Sequence, residues 1–220
     1  MKYIIMPISI LFIIFYILSS CQHQDKSLNK LLDKAIDSLN KTPSYAMDVP
    51  LDKYGNPDKF YKISKQIYEK QLAEDSIFGE HDLTITVSSN FDRSYDPQFL
   101  KLEFKKNKWV AVFTKYSPQN LKNSTSKINM VQRLNPKTGW NNLTNKLLSL
   151  NMLFFPTMDK IKDFDLLVGH SEVNTFEIRT KYAYRFYYYY GEETLKDSQN
   201  LIFKKTIDII KVLEHEFFKK

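Results

Sequence analysis

The sequence predicts an α+β protein: an antiparallel sheet of about five to seven strands packed with N-terminal, inserted and C-terminal helices. Apolar residues recur at intervals of three and four near both ends, at Leu28, Leu31, Leu32, Ala35, Ile36 and Leu39 and again at Ile202, Ile209, Leu213 and Phe217. That spacing lays one stripe along one helical face. Between them the period falls to 2: Leu83, Ile85 and Val87 alternate with Thr84, Thr86 and Ser88, and Leu100, Leu102 and Phe104 with Lys101, Glu103 and Lys105. Alternation of this kind belongs to strands with one dry and one wet face. Helices first, strands joined by short connections next, and a helix last complete the pattern.

Taken in order, residues 27–40 form the first helix, with Ser27 as its cap and Pro43 beyond its end. Residues 43–58 hold Pro43, Pro50, Gly55 and Pro57 without a period and read as a loop. Asp58 is placed to cap a second helix, on which Phe60, Ile63, Ile67 and Leu72 recur at helical intervals through Ala73. The strands at 83–88 and 99–105 follow, and Asn107 and Lys108 turn the chain into 109–115, which is expected to pair antiparallel with 99–105. After a polar loop at 118–126, residues 127–134 read as a strand with Ile128, Met130 and Leu134 on one side. Leu143, Leu147, Leu148 and Leu150 give a short helix from Trp140 to Asn151, ahead of Phe154, Phe155 and Pro156. Residues 173–190 read as a hairpin turning at Lys181 and Tyr182, with Tyr184, Phe186, Tyr188 and Tyr190 on one face of its second strand. Arg185, Tyr187 and Tyr189 occupy the other. A strand aromatic on both sides is either covered twice or exposes a tyrosine row to a ligand. Ser198 is placed to cap the last helix, which runs to Phe217.

The first residues carry a different message. Lys2 precedes an apolar run over 3–17, shorter than the roughly 20 residues a spanning helix needs, and then come Leu18, Ser19, Ser20 and the chain's one cysteine, Cys21. The layout is that of an export signal. Its last four residues resemble the lipobox of bacterial lipoproteins. That resemblance implies cleavage before Cys21, diacylglyceryl on its sulfur and acylation of the new amino group. Two or three acyl chains anchor firmly, each buried methylene contributing about 0.8 kcal/mol. The expected division is a signal peptide at 1–20, a tether at 21–26 and a single α+β domain at 27–220. Gln22, where aspartate would retain an enterobacterial lipoprotein in the inner membrane, points to the outer membrane, facing the periplasm or the surface. In layout the whole chain is similar to small envelope lipoproteins of Bacteroidetes-type bacteria.

With Cys21 acylated no thiol remains for a disulfide, a metal or catalysis. Lys2 is the only charged residue ahead of Cys21, so its removal takes the formal net charge from +7 to +6. The excess is spread as lysine pairs at 105–106, 204–205 and 219–220 without an arginine-rich block, which argues against nucleic acid as a partner. Neither Gly-x-Ser-x-Gly nor His-Glu-x-x-His occurs among the 220 residues. On an extended chain Glu80 and Asp82 share one face and His81 takes the other, so only the two carboxylates could share a site; His170, Ser171 and Glu172 sit consecutively in a turn, and Asp159, Asp163 and Asp165 lack the glycine and glutamate of a calcium loop. No catalytic residue, metal site or cofactor is expected from these.

Two side-chain groups remain. Glu177 and Arg179 share a strand face, and Arg185 on the hairpin partner is expected within reach of them. Arg185 with Tyr187 and Tyr189 would suit an anionic or sugar-like ligand. The reading is therefore a lipid-anchored envelope protein, non-enzymatic, binding a protein or a surface polymer, an immunity or inhibitor lipoprotein being one form. Two other readings are an envelope hydrolase with a site assembled from His170, Glu177 and Arg185, and a structural accessory of an outer-membrane complex.

Overall fold

A computed structural model describes residues 28–72, 81–91, 97–116, 128–161, 173–190 and 201–219. Cys21, Glu80, Asp163, Asp165, His170, Ser171, Glu172 and Ser198 lie outside them, as does the predicted loop at 118–126. The described part is an α+β arrangement of one antiparallel six-stranded sheet and four helices.

Helix α1 covers 28–41 and puts Leu32, Ile36 and Leu39 into the core, as their spacing requires. The segment read as an irregular loop is more ordered than its prolines suggest. Pro43–Tyr45 forms a 3-10 turn, Asp48 bridges Arg185, and Leu51 bridges Pro57 around Gly55, whose φ of 80° suits glycine. Helix α2 runs over Lys59–Leu72. Its cap is Asp58, whose Oδ1 accepts the Tyr61 N–H at 2.6 Å, an N-cap to N3 bond.

Strands β1 (Leu83–Ser88), β2 (Gln98–Lys105), β3 (Lys108–Tyr116) and β4 (Ile128–Leu134) follow as a meander. The β2–β3 hairpin pairs Phe104 with Trp109 and turns through Lys106 and Asn107, both at positive φ, the backbone of a tight hairpin turn. Helix α3 (Trp140–Ser149) ends two residues earlier than its leucines suggest, because Asn151 adopts the left-handed conformation at φ 63° and starts the 3-10 turn Met152–Phe154. Strands β5 (Val173–Arg179) and β6 (Tyr184–Tyr190) form a hairpin beside β1, giving the sheet order β4-β3-β2-β1-β5-β6. Helix α4 is Leu201–Phe217.

The two faces of the sheet are covered unequally. One carries Ile85, Val87, Phe113, Phe176 and Tyr189, and α4 packs on it: Phe203 meets the edge of Tyr189 at 5.6 Å and Phe218 that of Phe113 at 4.8 Å. The stacked indoles of Trp109 and Trp140, 5.8 Å apart, tie α3 to the same face. The other face carries Thr86, Glu177 and Phe186, and α2 lies over its β5–β6 side, with Tyr61 edge-on to Phe186 at 5.2 Å and Phe60 against Tyr188 at 4.3 Å. Leu83 to Val87 and Asn174 to Arg179 are therefore buried on both sides. Toward β4 the cover ends. Ile128 and Met130 are exposed and Leu134 is half-buried, and a register shift between Lys115 and Tyr116 moves Ile128 off the face that Met130 and Leu134 share, so the expected one-sided trio is reduced to a pair.

Candidate functional site

The two-residue turn at Lys181 and Tyr182 fixes the hairpin register: the Thr180 N–H donates to Ala183 O at 2.9 Å, so Arg179 faces Tyr184, Ile178 faces Arg185 and Glu177 faces Phe186. Arg185 therefore stands on the opposite side of the sheet from Glu177 and Arg179, and the expected three-residue charge group does not form. It forms instead as two separate clusters. The same register parts Glu177 from Arg185, two of the three residues of the scattered hydrolytic site, and the third, His170, is outside the described residues.

On the α4 face the structure does bring Arg185, Tyr187 and Tyr189 together, and buries all three, to 1%, 0% and 0% exposure. Their polar atoms meet the protein's own groups. Arg185 Nε and Nη2 donate to Asp48 Oδ2 at 2.9 and 2.7 Å, Nη2 also reaches Phe155 O at 2.6 Å, and Nη1 donates to Leu153 O. The guanidinium lies 4.1 Å over the Tyr45 ring, and Lys160 pairs with the other oxygen of Asp48. Tyr187 donates to Met152 O and Tyr189 to Pro156 O. Burial pushes the Tyr187 hydroxyl above its ordinary pKa against the pull of Arg185, and it pushes Tyr189 up likewise, so both are neutral donors. Every carbonyl from Met152 to Pro156 named here would otherwise be a buried acceptor without a strand or helix to serve it. The row is a clamp that holds the segments around Asp48 and Met152–Pro156 against β6.

On the α2 face Tyr184 donates to Glu177 Oε1 at 3.0 Å, and Arg179 Nε lies 3.5 Å from Glu177 Oε2, all three residues being buried. Burial first, then the Glu177 carboxylate, hold the Tyr184 hydroxyl well above its usual range. Tyr188 donates to Asp58 Oδ2 at 2.8 Å, which ties β6 to the start of α2. His81 approaches Glu103 at 3.7 Å, and Asp82 accepts the Lys106 N–H at 2.9 Å. Among the described residues no group of three or more His, Cys, Asp or Glu could hold a metal ion, and no helix is long and apolar enough to cross a membrane.

A concave surface lies elsewhere, between α3 and α4. It is an open groove of about 420 Å³ lined by Lys146, Ser149, Leu150, Asp208, Lys211, Val212 and His215. Beneath it Glu216, at 0% exposure, accepts Lys146 at 2.7 Å and the N–H and hydroxyl of Thr138 at 2.9 and 2.8 Å. Burial raises the Glu216 pKa, but the Lys146 ammonium and the two Thr138 donors outweigh it and hold the carboxyl at about 2. Glu216 thereby fastens the turn before α3 to the end of α4, with His215 Nδ1 3.9 Å from its Oε1 and the exposed side chains of Asp208 and Lys211 alongside. Ser149 donates to Lys146 O at 2.8 Å. The groove is mixed in charge, with Lys146, Lys211 and His215 set against Asp208 and the buried Glu216. The apolar stripe of α4 is the plainest pattern in its sequence. The polar residues at 208, 211 and 215, also three and four apart, were the available signal, and their meeting with Lys146 required the packing of α3.

The fold places the chain among α+β proteins with a single antiparallel sheet. No protein-family model, curated protein or solved structure matches it.

Proposed function

We propose that the chain is a cell-envelope protein held to a membrane by lipid on Cys21, most directly the outer membrane, and that its α+β body is a non-enzymatic module that binds another protein or a surface polymer. The observation that carries the anchor is Leu18, Ser19, Ser20, Cys21 behind an apolar run too short to span. Binding in preference to catalysis draws support from the way polar groups are used. Arg185, Tyr187, Tyr189 and Glu216 are engaged inside the fold, and the concave surface lies apart from them, between α3 and α4. An open surface that sets Lys146, Lys211 and His215 against one exposed carboxylate, Asp208, can take the carboxylates or phosphates of a large partner.

Two measurements test the two halves. Intact-mass analysis of the full chain taken from membranes is expected to find residues 1–20 gone and Cys21 carrying diacylglyceryl and an acyl group; a retained leader with a free thiol removes the anchor. Poly-glutamate serves as an anionic probe for the groove. Vesicles bearing the chain should retain it, and Lys211→Glu combined with His215→Glu should weaken retention about tenfold. Equal retention by the variant refutes the groove as the binding surface.

A further inference from the structure

Two hairpin turns leave the sheet at the same end. Thr84, near the start of β1, faces Glu103 near the end of β2 and Arg179 at the end of β5, so the turn through Lys106 and Asn107 and the turn through Lys181 and Tyr182 project together. With β1 between β2 and β5 and strands about 4.8 Å apart, the two turns lie about 14 Å from each other. Lys105, Lys106, Lys108 and Lys181 are exposed there, and among the described residues no carboxylate pairs with any of the four. Asp82, Glu103 and Asp37 are engaged otherwise: Asp82 accepts the Lys106 N–H at 2.9 Å, Glu103 holds Lys101 at 2.9 Å and Asp37 holds Lys41 at 2.5 Å. Tyr182 is 56% exposed, with the Lys181 ammonium 4.9 Å from its ring centroid. The same turn holds the C-terminal end of α1, where Asn40 Oδ1 accepts the Thr180 hydroxyl at 2.5 Å and the Tyr182 N–H at 3.2 Å.

We propose that this end of the sheet docks on the membrane: Lys105, Lys106, Lys108, Lys181 and the Tyr182 ring rest on the anionic phospholipid headgroups of the bilayer that holds Cys21, and the strands stand upright on it. The inference rests on the lipid anchor and does not depend on the groove. From Leu28 to Asn40, α1 is about 18 Å long, and the seven steps from Cys21 to Leu28 span at most about 25 Å. The anchor therefore keeps the start of α1 within that distance of the headgroups, and leaves enough chain for the far end of the helix, with both turns, to reach them. Charge and shape favour a lipid surface over a folded partner. Lysine is a hydrated point charge that needs no matching fork, the four stand on two projecting turns and not in a cleft, and tyrosine settles at the headgroup boundary. Near an anionic surface each lysine strengthens attachment about fivefold, and the attraction fades beyond a Debye length of about 10 Å. The two turns therefore act together only when both reach the surface.

The test uses the full chain, taken from membranes and returned to vesicles, with a fluorophore on Tyr182→Cys or on Leu201→Cys and a quencher on the lipid headgroups. Leu201 is 64% exposed near Phe203, which meets Tyr189 at the other end of β6, about 20 Å from Tyr182. The unsubstituted chain controls for labelling at Cys21. On vesicles of phosphatidylcholine with phosphatidylglycerol, quenching at 182 is expected to exceed that at 201 severalfold. Changing Lys105, Lys106, Lys108 and Lys181 together to glutamine, with an unchanged urea midpoint, should remove the difference. So should high salt, which leaves the chain unaltered, or vesicles of phosphatidylcholine alone. Equal quenching at the two positions on phosphatidylglycerol vesicles overturns the proposal, as does a difference that survives both salt and the fourfold variant. A chain that washes off phosphatidylcholine vesicles overturns the lipid anchor, and this inference falls with it; a retained chain with equal quenching leaves the anchor standing.

Discussion

Replacing Arg185 by methionine is the sharpest probe of the clamp. The substitution keeps the length and apolar body of the side chain but removes a guanidinium at 1% exposure that serves Asp48, Leu153 O and Phe155 O. Asp48 itself is 3% exposed, and among the described residues Lys160, with a side chain 48% exposed, is the cation that remains to face it. Breaking a buried pair costs about 3–5 kcal/mol. The surviving Lys160 argues for the lower end, and the two carbonyls left without donors add about 1 kcal/mol or more apiece. A loss of about 5 kcal/mol is a large part of the 5–15 kcal/mol typical of a folded protein. With a urea slope of about 2–3 kcal/mol/M it lowers the unfolding midpoint by roughly 1.7–2.5 M, readable from the stacked pair Trp109 and Trp140. Asp48→Leu in the same chain removes the orphaned carboxylate, so the double variant is expected to recover about 2 kcal/mol over Arg185→Met alone. A single-variant loss below about 1 kcal/mol, or a double variant whose losses merely add, would refute the clamp and restore Arg185 as a group free to serve a ligand.

Three further outcomes follow from the same geometry. Glu216 is held at about 2 against an ordinary value of 4.5, so it stabilises the fold above pH 4.5 and that contribution is lost as pH falls toward 2; Glu216→Gln should flatten the stability profile across that window by about 1–3 kcal/mol, and an unchanged acid limb counts against it. Tyr184, Tyr187 and Tyr189 are raised above their ordinary 10, so the stability they confer is complete below pH 10 and declines as pH climbs beyond it; spectrophotometric titration should leave part of the tyrosine signal silent until the chain unfolds. Leu213→Ala on α4, at 0% exposure, should cost about 2–5 kcal/mol in urea denaturation, and a loss under 1 kcal/mol would mean that α4 does not close the core.

The periodicity of the sequence was enough to place the helices and strands because each element has one dominant face. At β6 it was not, since alternation assigns residues to faces but says nothing of what lies above each face. Tyr187 and Tyr189 could equally have been a ligand platform. What decided otherwise were Met152 and Pro156, some thirty residues earlier, whose carbonyls lie under the hydroxyls only once α3 has ended at Asn151. The position of Arg185 was legible in principle. A two-residue turn at Lys181 and Tyr182 makes paired numbers sum to an odd value, which puts Arg185 opposite Ile178 and away from Glu177. Asp48 carried no local sign of its role, because an aspartate between two turns looks the same whether it is solvated or buried against an arginine.

The unequal cover of the sheet also sets where a new charge is tolerated, and Val131→Lys tests that contrast. Residues of β1, β5 and β6 are enclosed on both sides, so a charge introduced there would lose its hydration and unfold the chain. Val131 is 60% exposed on a strand that, among the described residues, has a neighbour on one side only, where a lysine keeps its ammonium in water. Its effect on folding is therefore expected to stay within about 0.5 kcal/mol, measured by urea denaturation. A loss of about 2 kcal/mol or more would mean that the side chain at position 131 is enclosed by the fold.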